Sequence, residues 1–231
     1  MTHIPKVLNA FASLLSYPTQ YTAQAAELLY IVLHGEIVDA AEEIANFGSF
    51  LERSEPTLVE ETFTSTFDVN PACALEVGWH LFGEEYARGL FLVRMRQELR
   101  RFNLPESVEL TDHLSHVLAV VAAMPDDEAT RFVKACVQPA VDKMSDAIAK
   151  SDTPYRHVVS ALSIVINSKW GRDPHHVTTD ILQQRSSELD PLHAFPAANY
   201  GCGGGCGVHE LVSLDTESSS RTDKTGSSHE R

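Results

Sequence analysis

Basic side chains are scarce in this chain: 18 Lys and Arg stand against 32 Asp and Glu, for a formal net charge of −14. A nucleic-acid binder needs a basic footprint to displace counterions from phosphates, and an anionic membrane surface selects for the same sign of charge. The composition therefore argues against nucleic acid and against direct membrane binding, and leaves a basic or apolar polypeptide segment as the more natural partner. Cysteine is sparse too. Cys73, Cys136, Cys202 and Cys206 are too few and too unevenly spread to form a disulfide framework, and a chain of 231 residues with 43% hydrophobic content has enough apolar side chains for a core without one. A reducing compartment is expected. No stretch approaches the roughly 20 apolar residues of a membrane span, and the first residues lack the charged start and cleavage site of a secretory signal, so the expected location is the cytoplasm. Also missing are a GxSxG nucleophile turn, a phosphate-binding P-loop, a dinucleotide fingerprint and an HExxH zinc helix, so the chain is not expected to be an enzyme. Strand alternation flanked by hairpin turns is absent as well, which leaves an all-α single-domain helical bundle.

The helices announce themselves by period. Ile4, Val7, Leu8, Phe11, Leu14 and Leu15 share a face and stop at Tyr17-Pro18. Tyr21 to His34 forms a second helix with Gly35 as its stop, Ile37 to Leu51 a third, and Leu58 to Phe67, opened by Pro56, a fourth. The central stretch from His80 to Met124 reads as two helices and a short loop. One begins after Gly83 and ends near Arg100 and Arg101. The other has Thr111 as N-cap and Asp112 in its first turn, so that Asp112 and His116 share a face. Phe132 to Lys150 follows, with Pro139 expected to kink it, and Thr153-Pro154 opens a last helix through Ile166. The organisation expected is a helical domain over 1–170, a Gly/Cys/His-containing extension over 171–215 and a disordered tail over 216–231, whose composition cannot bury enough apolar area to offset its ordering entropy.

Three groups carry candidate chemistry. Asp112, His113 and His116 can form a local acid-base group, or equally a first-turn acid beside solvated or capping histidines. As first-turn polar residues, Asp112 and His113 are expected to contribute little to the core. Arg88, Arg94, Arg96, Arg100 and Arg101 make a basic strip suited to carboxylate or phosphate, or a solvated face balanced by neighbouring glutamates. Trp79, Phe82 and Tyr86 stand beside Gly78 and Gly83, which permit a close helix approach or a turn. Beyond them, Cys202, Cys206 and His209 present two thiolates and an imidazole within one glycine-rich stretch. Zinc or an iron–sulfur cluster is the candidate there, with Glu210, His193 or a second protomer needed as fourth ligand; a flexible linker with free thiols is the other reading. No tightly bound cofactor is expected elsewhere.

Several stretches, taken in order, resemble one family. LLSYPT (Leu14 to Thr19), FTSTFD (Phe63 to Asp68), HLFGEEYARG (His80 to Gly89), ELTDHLSHVLAVVAAMP (Glu109 to Pro125) and DTPY (Asp152 to Tyr155) are similar to motifs of the NarJ-like nitrate reductase assembly chaperones, relatives of the TorD and DmsD chaperones. Thr111 and Ser115 stand where that family usually has proline, and Ala119 where it often has an acid. The resemblance implies an all-helical chaperone that binds the N-terminal segment of the catalytic alpha subunit of a molybdopterin oxidoreductase of nitrate reductase type. It would assist molybdenum cofactor insertion before membrane attachment. Carried over by motif, the peptide-binding residues are Asp112, His113 and His116 in one stretch and His80, Phe82, Tyr86 and Arg88 in the other. The alternative is a metal- or redox-active protein built on Cys202, Cys206 and His209.

Overall fold

A computed structural model describes residues 3–171 and 190–195. The all-α reading holds: the described residues form α1 (Ile4–Leu14), α2 (Thr22–His34), α3 (Val38–Arg53), α4 (Pro56–Phe67), α5 (Val77–Phe82), α6 (Tyr86–Arg101), α7 (Leu114–Ala123), α8 (Asp126–Phe132), α9 (Gln138–Ile148) and α10 (Tyr155–Trp170). Helix α1 packs on α2 and α7, α3 lies against α2 and α10, and α10 packs on α9. The apolar faces read from the sequence meet there: Phe11, Leu14, Ile44, Phe47, Leu118 and Leu162 are all fully buried.

Two motifs that are far apart in the chain converge on Tyr155. Its ring lies 5.0 Å from that of Phe47, 5.5 Å from Phe63 and 5.1 Å from Phe67. Beside it the hydroxyls of Thr66 and Thr153 share a hydrogen bond of 2.7 Å. The Thr153-Pro154 start signal is nearly right, with Pro154 itself at the cap position and Thr153 accepting from the Tyr155 amide at 3.4 Å.

The central stretch departs from its sequence reading in two places. A short helix, α5, precedes Gly83, whose φ of +61° makes the turn into α6 that only glycine adopts without strain. At the other end α7 begins at Leu114 and not at Thr111, with His113 as its N-cap. The cause is a pairing no local signal shows: the Val77 amide donates to the Asp112 carbonyl at 2.9 Å and the Leu114 amide to the Leu75 carbonyl at 2.7 Å, an antiparallel bridge of Glu76 with His113. A turn closed by the His113 amide on the Leu110 carbonyl at 3.0 Å, followed by the bridge at His113, holds residues 111–113 out of the helix. Asp112 and His116 consequently do not share a helix face.

A π-helical turn, Val133–Val137, precedes Pro139, the residue expected to kink this helix, which stands in the first turn of α9. Residues 190–195, read as part of the extension, fall within the same compact unit as the helices, Met1–Pro196. The 216–231 tail and the Cys202, Cys206 and His209 group lie outside the described residues.

Candidate functional site

A cleft of about 310 Å³ opens between α4, α5 and the bridged segments. Phe63 and Phe67 project from successive turns of α4, and with Tyr17, Leu75 and Trp79 they give it an aromatic and aliphatic lining. Acids stand around it: Asp68, Glu76 and Glu109. Arg88, the one cation among the described residues that line it, is already engaged, with Nε 3.3 Å from Asp112 Oδ2 and its guanidinium 5.7 Å from the Trp79 ring centre. Trp79 is oriented by its indole N–H, which donates to the Pro71 carbonyl at 2.9 Å.

Asp112 forms the wall behind Arg88. Its carboxylate is fully buried and Oδ1 has no hydrogen-bond partner. Burial pushes its pKa up, opposed by the attraction of Arg88. The room for it is made by Gly78: a Cβ there would stand 2.6 Å from Asp112 Oδ2, 3.1 Å from Phe91 Cδ1 and 3.3 Å from Arg88 Cγ. Gly78 is thus the close-approach glycine of the pair singled out in the sequence. Replacing it with alanine is expected to cost about 1–3 kcal/mol through overpacking and to pull Arg88 and Asp112 apart. Urea denaturation measures this, with Gly89→Ala as control, since a Cβ at Gly89 meets nothing within 4 Å. A Gly78→Ala protein as stable as the control would show that the carboxylate is not held against this backbone.

His113 also lines the cleft and is nearly buried. Its Nδ1 lies 2.7 Å from Ser115 Oγ and accepts from the Ser115 amide at 3.3 Å, which fixes Nδ1 as the unprotonated nitrogen. Burial, with a smaller contribution from His116, lowers its pKa to about 4. The expectation that Asp112 and His113 matter little to the core is therefore corrected: one is the buried half of an ion pair, the other a buried helix cap.

The other sequence candidates separate. His116 is buried, with Nδ1 3.0 Å from the Leu110 carbonyl and Nε2 accepting from the Ser107 amide at 3.2 Å, so it pins the loop before α7. His80 is buried with Nε2 2.6 Å from the Ala74 carbonyl, and burial lowers its pKa. Phe82 packs against Phe91 with ring centres 5.7 Å apart, while Tyr86 is 84% exposed at the start of α6. Thus Arg88 and His113 line the cleft, Asp112 backs it, and His80, His116, Phe82 and Tyr86 do not line it. The basic strip is paired rather than free: Arg96 donates to Glu106 at 3.0 Å, and Arg101 bridges buried Glu98 and Glu128 at 3.1 and 2.7 Å. What sequence reasoning missed is the wall. The i, i+4 pair Phe63 and Phe67 was visible in FTSTFD, but its opposite side, Trp79 with Glu76 and Glu109, is brought there by the bridge.

His193, offered as a fourth metal ligand, is exposed and has Nδ1 3.0 Å from Asp190 Oδ2. No group of three His, Cys, Asp or Glu side chains suited to a metal occurs among the described residues. Nor is any helix of the described residues long and apolar enough to cross a membrane.

The described residues thus form an all-helical body with an aromatic cleft rimmed by acids. The nitrate reductase delta subunit family model matches residues 36–160, more than half of the chain, and the chain belongs to this family of nitrate reductase assembly chaperones. It is also similar to the nitrate reductase-like protein NarX in two strains of Mycobacterium tuberculosis, each 27% identical over 150 residues, which is 64% of this chain and 22% of the relative. The matched stretch is thus a minor part of those longer proteins.

Proposed function

We propose that the chain is a dedicated cytoplasmic chaperone that binds the N-terminal segment of the catalytic alpha subunit of a nitrate reductase-type molybdopterin oxidoreductase. It holds that subunit until its molybdenum cofactor is inserted and delays membrane attachment, and it is not itself an enzyme. The observation that carries this is the cleft: aromatic faces from Phe63, Phe67 and Trp79 supply sequence-tolerant apolar contact, and Asp68, Glu76 and Glu109 select against acidic segments. A segment with an apolar face and a positive charge, such as a chain's own amino terminus, matches both features. Family membership supports the same client class.

Calorimetry of the full chain with a synthetic peptide of the client's first residues, against a scrambled peptide of equal composition, tests the proposal. Saturable heat is expected for the native order alone, and it should fall by about tenfold in affinity in Trp79→Ala, a loss typical of a central aromatic anchor. Equal heats for the native and scrambled peptides would overturn specific recognition.

A further inference from the structure

Residues 190–195 are not a helix of the bundle, yet they insert into it. Phe195 is 8% exposed and Ala194 3%. The Phe195 ring meets Phe91 edge-on at 5.4 Å and Phe132 at 5.1 Å, while Phe91 and Phe132 themselves lie parallel, 6.4 Å apart. Two backbone carbonyls are gripped by side chains of the body: that of Leu192 by the Arg94 guanidinium, which also lies 5.7 Å from the Phe195 ring centre, and that of Pro191 by the Cys136 thiol at 3.6 Å. The segment shapes its own turn. Asp190 Oδ1 accepts from the Leu192 amide at 2.8 Å and its carbonyl from the His193 amide at 2.8 Å.

An aromatic anchor, side-chain clamps on main-chain carbonyls and a self-formed turn are how a folded surface holds a linear peptide. We propose that the groove between α6, α8 and the π-helical turn is a second peptide-docking site, which the chain's own Pro191–Phe195 segment occupies as an exchangeable, tethered ligand. The ligand class is a short turn-forming segment with one buried aromatic and two accessible carbonyls. Residues 172–189 connect the segment to the end of α10, and the tether makes the segment win by local concentration rather than by intrinsic affinity. The segment buries Pro191, Ala194 and Phe195 and half-buries Leu192, and that gain is set against the ordering of the stretch. Phe91, the floor under Phe195, stands against the Gly78 position that holds Asp112 in place.

The test is a fluorescence anisotropy titration of a labelled synthetic peptide of residues 188–197 into the full-length chain and into full-length Phe195→Ala. Phe195→Ala is expected to bind the peptide at least about tenfold more tightly than the unaltered chain, whose own segment competes. A peptide with alanine in place of its phenylalanine should bind neither, and adding Arg94→Ala to the variant should abolish the gain. Circular dichroism and a cooperative melt establish that the variant is folded. Should Phe195→Ala not fold, Phe195→Leu, which keeps most of the volume without the ring, takes its place. Equal binding to both chains, or binding to neither, would overturn the proposal. So would failure of both variants to fold, which would make the segment an integral part of the core.

Discussion

Tyr155→Ala is expected to lower the unfolding free energy by about 3–5 kcal/mol, while Tyr155→Phe leaves it unchanged or raises it by about 1 kcal/mol. The ring is fully buried where α3, α4 and α10 meet, in contact with Phe47, Phe63 and Phe67, so truncation removes three aromatic contacts and leaves a cavity in an interior with no loose neighbour to fill it. The hydroxyl is another matter. It is buried without a hydrogen-bond partner, and burial pushes its pKa well up, so it contributes desolvation cost and no compensating bond. Removing the oxygen alone relieves that cost. Because Phe63 and Phe67 also line the cleft, Tyr155→Ala should weaken peptide binding, and Tyr155→Phe should not. Guanidinium denaturation with both variants, followed by calorimetry, separates the two effects. A loss of more than about 1 kcal/mol in Tyr155→Phe would mean that the hydroxyl is bonded and that the aromatic cluster is also a polar joint.

The same residue shows what the sequence does and does not make legible. Helical period identifies which side of α1, α3 and α10 is buried because 3.6-residue spacing is a local property, and Leu14, Ile44 and Leu162 lie in the core as expected. Proline and glycine likewise mark ends: Pro56 opens α4 and Gly83 turns the chain into α6. Partnership is not local. Nothing around Thr111 signals that Leu75 and Val77 will bond the backbone on either side of His113, and that pairing moves the start of α7 and buries Asp112. The seven residues placed at the peptide site from motif similarity were drawn from stretches that do flank the cleft, but only their fold-dependent orientation separates Arg88 and His113, which line it, from His80 and His116, which hold backbone carbonyls. Phe195 was hidden for a different reason. It stands in a stretch rich in polar and helix-breaking residues, where one aromatic gives no periodicity, and its burial depends on Phe91 and Phe132 being parallel across two helices.

The fold should lose stability on mild acidification, and His113 should carry much of the loss. Its imidazole lines the cleft at only 5% exposure, with Nδ1 taken up as acceptor by the Ser115 amide and with the His116 ring centre 6.3 Å away. A proton arriving on the buried imidazole would remain unsolvated and face a second imidazole, which is why the pKa falls from its ordinary 6.5 to about 4. The folded chain therefore binds fewer protons than the unfolded chain between those values. The stability so contributed is fully present above 6.5 and disappears as pH falls through 4, amounting to about 2 kcal/mol lost by about pH 5. His80, also lowered by burial, adds in the same direction. Asp112 and Glu98 act oppositely, since burial raises their pKa values and the folded state takes up their protons first as pH falls. His113→Asn isolates the imidazole: its amide oxygen can still accept from the Ser115 amide at the cap position, and it does not titrate. Urea midpoints measured from about pH 7 to about pH 5 should fall more steeply for the unaltered chain than for His113→Asn, with the difference approaching about 2 kcal/mol. Parallel pH profiles would show that the imidazole titrates as it does in water, which would require His113 to swing out of the wall of the cleft and uncap α7.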